Sequence, residues 1–166
     1  MRFTSLFALA LFAVACGPKT DTSATAAAPA DATLSAAALD SVKGVDAAWA
    51  AGMNAKDTAA VFALYADSAK LLPPDAPIMD KTGARGVLGG LIGSGATDFV
   101  LTPTVAYGAG DLGYMVGTAT FKTGGATETV KYADVVRRGA DGKWRYVADM
   151  FSGVAPMMSA APAKKK

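Results

Sequence analysis

The stretch that most constrains the fold is 132–151, which reads YADVVRRGADGKWRYVADMF. Two runs rich in Val, Tyr and Trp flank Gly139-Ala140-Asp141-Gly142, and a glycine-bearing loop between alternating runs is a strong local signal for a β-hairpin. Successive strand residues point to opposite faces. On the second run Trp144, Tyr146, Ala148 and Met150 share one face, and Arg145, Val147, Asp149 and Phe151 share the other. The first set is apolar apart from a phenol, so it is expected to meet the helices.

The loop admits two registers. If Ala140-Asp141-Gly142 is a three-residue loop with Gly142 in the left-handed region, Gly139 pairs with Lys143. Tyr132, Asp134 and Val136 then face inward with Trp144, Tyr146 and Met150. If all four residues loop, Arg138 pairs with Lys143 and the same three join Arg145 and Asp149 on the outer face. The three-residue loop is preferred, because it keeps Tyr132 and Val136 with the apolar groups and leaves Arg137 beside Arg145 in solvent.

Upstream, Leu39, Val42, Val45 or Asp46, Trp49 and Met53 recur at helical spacing, which predicts a first helix to about Ala55. Asp57 can cap a second helix that buries Val61, Phe62, Leu64 and Tyr65. Short strands are expected at Lys70–Leu72 and Pro77–Met79. A third helix, opened by Asp80 or Thr82, runs through Val87, Leu88, Leu91 and Ile92, and its glycines (Gly83, Gly86, Gly89, Gly90) weaken it. After Gly95 four strands follow, Asp98–Tyr107, Leu112–Lys122, Thr127–Arg138 and Lys143–Phe151. Helices followed by an antiparallel meander make an α+β domain.

The N-terminal MRFTSLFALALFAVAC fits a secretory signal. Its apolar run, Leu6 to Val14, is shorter than the about 20 residues needed to span a bilayer. Ala13-Val14-Ala15-Cys16 resembles the bacterial lipobox, with Ala13 where leucine is usual; ordinary cleavage after Ala15 is the plainer alternative. The expected organisation is a signal peptide over 1–15, a lipidated Cys16 with a disordered tether to residue 33, a domain over 34–152, and a basic tail over 153–166. Gly17, in place of an aspartate that resembles a retention signal, points to the periplasmic side of the outer membrane.

Outside Arg2 and the terminal Lys164-Lys165-Lys166 the chain carries 12 basic and 14 acidic residues. That near-neutral balance argues against nucleic acid as a partner. The sequence has no histidine and one cysteine. This excludes Ser-His-Asp and Cys-His catalysis, the usual zinc sites and any internal disulfide, and nothing points to a metal or cofactor.

The domain resembles the SnoaL-like branch of the nuclear-transport-factor-2-like superfamily. The likeness rests on Asp46-Ala47-Ala48-Trp49, Asp57, and Phe62-Ala63-Leu64-Tyr65-Ala66-Asp67-Ser68-Ala69. It continues through Leu72-Pro73-Pro74 to the segment from Arg137 to Ser152. It implies a strongly bent antiparallel sheet wrapped against the N-terminal helices as a cone, with a pocket at its open end. The glycine-filled third helix departs from the pattern there and bears on the pocket's lid. Proteins similar to it include isomerases, dehydratases, cyclases and simple binders, and often dimerise through the outer sheet face. The acid–base enzymes among them place an Asp with a His or Tyr in the pocket, which here directs attention to Asp134, Tyr132 and Asp46. For Asp46 the commoner place is the helix edge, and for Asp149 a surface salt bridge. Trp49, Tyr65, Tyr114, Tyr132 and Met150 are the expected walls for a small, mainly apolar ligand, although plain core is the usual fate of such side chains.

Overall fold

A computed structural model describes residues 33–154. The signal segment, Cys16, the tether before residue 33 and the tail from residue 155 lie outside the described residues. The elements are α1 (Ala36–Asn54), α2 (Thr58–Ala63), β1 (Tyr65–Leu72), β2 (Met79–Asp80), α3 (Lys81–Gly93), β3 (Thr97–Ala109), β4 (Leu112–Thr123), β5 (Ala126–Arg138) and β6 (Trp144–Gly153). Each helix starts on a side chain that satisfies a free N–H: Ser35 accepts from Ala38, Asp57 from Ala60 and Asp80 from Gly83. Two of the expected strands differ: the one at Lys70–Leu72 starts already at Tyr65, which with Leu64 was expected in the second helix, and Pro77–Met79 is displaced. β2 begins at Met79 and Ile78 is exposed, since Pro77 has no N–H to give a ladder.

The six strands form one sheet in the order β2-β1-β6-β5-β4-β3. The meander β3 to β6 and the β1/β2 pair are antiparallel, but β1 runs parallel to β6, so the sheet is mixed. Three bulges bend it. In β3, Asp98 sits at φ 57° where the register slips, and Thr104 is extra between Pro103 and Val105. In β6, Val147 is extra: Tyr146 pairs with Val136 while Ala148 pairs with Val135. Register against β1 slips at the same point.

The concave face of the bent sheet wraps the helices as a cone, and the core lies between them. Val42, Val45, Met53, Val61, Phe62, Leu71, Met115 and Val136 are buried there. Two inner-face glycines of β4 permit close contacts. At Gly113 an added Cβ would lie 3.2 Å from Val42, and at Gly117 one would lie 2.9 Å from the Tyr132 hydroxyl and against the Thr102 carbonyl.

The closing hairpin adopts the three-residue loop. The Gly139 N–H donates to the Lys143 carbonyl at 2.9 Å, and Gly142 has φ 77°. Tyr132, Asp134 and Val136 therefore point inward with Trp144 and Tyr146.

Candidate functional site

Between the concave sheet and the helices lies a cavity of about 290 Å³. α3 contributes Val87, Leu88 and Leu91 to it, so the glycine-rich helix does form and closes one side. β3 and β4 contribute Phe99, Leu101, Ala119 and Phe121. β5 supplies Val130, Tyr132 and Asp134; β6 supplies Tyr146, Asp149 and Phe151; α1 supplies Trp49. Phe99 packs edge-on to Trp49 at 5.7 Å and stacks on Phe121 at 5.2 Å between centroids. Asn54 holds that wall in place, since its side chain bonds both the N–H and the C=O of Phe99, at 2.8 and 2.9 Å.

The polar groups fall into two linked clusters. In the first, Asp134 and Asp149 are directly opposed on adjacent strands. Both are buried, at 4 % and 9 % exposure. The Tyr65 hydroxyl donates to Asp149 Oδ2 at 2.5 Å, and Trp49 Nε1 donates to the Tyr65 oxygen at 3.0 Å. Asp134 Oδ1 accepts from no donor among the described residues. The two carboxyls lie within hydrogen-bonding reach of each other, a bond that exists only if one of them keeps a proton. Burial pushes the Asp134 carboxyl well above the ordinary carboxylate range, and the charge of Asp149 beside it pushes the same way. Burial also raises Asp149, to about 6, against the lowering effect of the bonds from Tyr65 and Asp134. The pair therefore holds one proton in common near neutral pH.

In the second cluster Asp46, 1 % exposed, accepts from Tyr132 at 2.6 Å and from Tyr146 at 2.8 Å. It stands behind the two phenols that line the cavity. Burial raises its carboxyl while both hydroxyls pull it down. Burial likewise pushes the Tyr65, Tyr132 and Tyr146 phenols up, so all three are neutral donors across the physiological range.

Several sequence expectations are corrected by these positions. Met150 is exposed on the outer face, because Val147 bulges out of register and reverses the alternation beyond it; Asp149 and Phe151 turn inward instead. Asp149 is thus a buried acid accepting from a phenol, and its place on the surface passes to Met150. Tyr114 is also outside, beside Tyr107 at 5.7 Å between ring centroids, since inner positions of β4 alternate through Gly113, Met115, Gly117 and Ala119. Tyr65 is fully buried but lies one layer behind the wall, where its hydroxyl links Trp49 to Asp149. Asp46 is not at the helix edge. Trp49 and Tyr132 do line the cavity. Sequence reasoning missed Asp149, Tyr146, Phe99 and Phe121 as lining groups. The inward alternation of Tyr146 with Trp144 was a usable signal for the second. Among the described residues no group of three or more acidic, Cys or His side chains is arranged to hold a metal ion.

A bent mixed sheet closed over three helices, with a cavity inside, defines a nuclear-transport-factor-2-like cone of the α+β class. Within it, residues 47–147 match the SnoaL-like domain, and the chain belongs to that family. Solved structures with the same fold include a ketosteroid isomerase-like protein from Erwinia carotovora atroseptica (20 % identity, TM-score 0.59, covering 71 % of this chain and 97 % of that one). Another is an NTF2-like protein of unknown function from Pseudomonas putida (18 %, TM-score 0.64, covering 75 % and 92 %). A third is a protein of unknown function with a cystatin-like fold from Nostoc punctiforme (16 %, TM-score 0.64, covering 76 % and 97 %). At these identities the likeness is one of fold. No curated protein matches the chain.

Proposed function

We propose that the domain binds a small, mainly apolar molecule in the cone cavity. The observation that carries this reading is an aromatic and aliphatic chamber whose floor holds the Asp134–Asp149 pair. Apolar walls with a few convergent polar groups are what a small-molecule site requires. Trp49 borders the chamber, so its fluorescence is the natural reporter. Titration with benzyl alcohol or cyclohexanol should shift it saturably and raise the melting temperature. Absence of both effects, with Trp49 unresponsive, rejects a ligand cavity.

A second reading, an isomerase- or dehydratase-like activity, is favoured by the connected series Tyr65, Asp149, Asp134. One carboxyl of the pair is neutral and can give a proton, while the other is poised to accept one. Asp134→Asn should keep binding and abolish proton transfer. Exchange of the α-hydrogens of cyclohexanone in deuterated water, followed by NMR, tests this whatever the natural substrate is. A wild-type rate no faster than that of the variant sinks the enzymatic reading.

The reading also includes an address. A signal over 1–15 and a lipidated Cys16 would tether the domain on the periplasmic side of the envelope, on the outer membrane. Mass spectrometry of membrane-fraction protein should find a diacylated N-terminal cysteine; an unmodified Cys16 in a soluble pool rejects it. The half-exposed Val105, Tyr107, Tyr114, Val116 and Met150 on the outer sheet face support a homodimer. Sedimentation of the wild type against Tyr114→Lys tests that.

A further inference from the structure

The cavity's polar groups define which head group it can take, an inference that rests on the binding reading above. Every hydroxyl and ring N–H at the floor is already committed. Tyr132 and Tyr146 donate to Asp46, Trp49 donates to Tyr65, and Tyr65 donates to Asp149. Apart from the proton held between Asp134 and Asp149, the floor therefore offers acceptors only. Asp134 borders the cavity, its residue is 4 % exposed, and its Oδ1 accepts from no donor among the described residues.

No lysine, arginine or histidine lines the cavity among the described residues. Basic groups nearby are engaged elsewhere: Lys81 with Asp67, Arg145 with Asp141, and Arg85 over the Phe62 ring. An anionic ligand would thus meet two carboxyls and no counter-charge. An alcohol could give one hydrogen bond but would leave the pair's negative charge buried without a counter-charge, which is costly. An ammonium group gives up to three hydrogen bonds and the missing positive charge. The walls suit the hydrocarbon body of the same ion, since Trp49, Phe99 and Phe121 line the cavity with apolar aromatic surface. The volume equals about ten waters at ~30 Å³ each, enough for a single ring with a short arm.

We propose that the cavity receives a small apolar primary amine as its ammonium ion, with the head group on Asp134 and Asp149 and the hydrocarbon body against Phe99 and Phe121. Three probes of one shape separate the cases: benzylamine, benzyl alcohol and benzoate, titrated calorimetrically into the full chain at pH 7.5. Benzylamine should bind about tenfold or more tighter than benzyl alcohol, and benzoate should give no binding. Asp134→Asn should cut the amine's affinity about tenfold while leaving the alcohol within about threefold; Asp149→Asn is the second variant, each checked for native circular dichroism. If neither variant folds, the order of the three probes on the wild type decides. Benzyl alcohol or benzoate binding as tightly as benzylamine overturns the amine assignment but leaves the ligand cavity standing. No binding by any of the three overturns both.

Discussion

Burying three carboxyls without a cation makes the fold sensitive to rising pH, opposite to the familiar acid lability of salt-bridged proteins. Asp149 ionises at 3.8 in an open chain and at about 6 in the fold. Between those values the folded state holds more protons than the unfolded one, so stability falls as pH rises. The stabilising contribution is fully present below 3.8 and lost as pH climbs through about 6. At ~1.4 kcal/mol per pH unit, the interval is worth about 3 kcal/mol. Asp46 and Asp134 are raised by burial too, and add slope of the same sign. About 2 kcal/mol of the Asp149 share falls above pH 4.5, so with a urea m-value of about 1–3 kcal/mol/M the unfolding midpoint should drop by at least about 0.7–2 M between pH 4.5 and 7.5. Asp134→Asn removes one titrating member of the pair and leaves an amide able to donate to Asp149. Its midpoint should change less over the same range and exceed that of the wild type at pH 7.5. A wild-type midpoint that is flat or rises from pH 4.5 to 7.5 would refute the shared-proton account of the floor.

Four further substitutions probe the scaffold around that floor. Tyr65→Phe removes the donor to Asp149 and the acceptor of the Trp49 N–H, and should cost about 2–4 kcal/mol in urea unfolding, with a red-shifted Trp49 emission. Gly86→Ala and Gly90→Ala place a methyl where nothing lies within 4 Å on a helical backbone, so each should stabilise by about 0.5–1 kcal/mol without altering probe binding. Gly117→Ala drives a methyl against the Thr102 carbonyl and the Tyr132 hydroxyl; it should destabilise by several kcal/mol, about 3 or more, and detach Tyr132 from Asp46. A neutral Gly117→Ala would mean that the sheet at this point is looser than its contacts imply.

Most element identities were legible because they rest on local chemistry. Asp57 and Asp80 announce helix starts whatever surrounds them, and Gly142 settles the hairpin by its need for a positive φ. The inward turn of Asp134 follows from that loop alone. The burial of Asp46 does not follow from anything local. Its two partners stand 86 and 100 residues further along the chain, on β5 and β6, and an aspartate on an apolar stripe is buried only when such partners exist. The helical spacing Val42, Val45, Asp46, Trp49, Met53 already held the position; no local pattern shows that two phenols meet it there.

The fate of Asp149 and Met150 shows where strand alternation stops being a guide. Counting from Trp144, strict period two puts Met150 inside and Asp149 outside, and their side chains make that assignment chemically sensible. The chain does the reverse, since Val147 is passed over by both neighbours: β5 steps from Val136 to Val135, and β1 from Tyr65 to Lys70, while β6 moves from Tyr146 to Ala148. A slip shared by two strands cannot be read from the one that carries it. At the start of β1 the Tyr146 N–H donates to the Leu64 carbonyl at the end of α2, at 2.8 Å. That bond fixes β1 against one half of β6 and leaves the other half to restart in a new phase. The acid pair at the cavity floor is therefore a product of the bulge. Were Val147 in register, Asp149 would be a solvated outer residue, Met150 would fill the space beside Asp134, and the cavity would keep one buried carboxyl in place of two that share a proton.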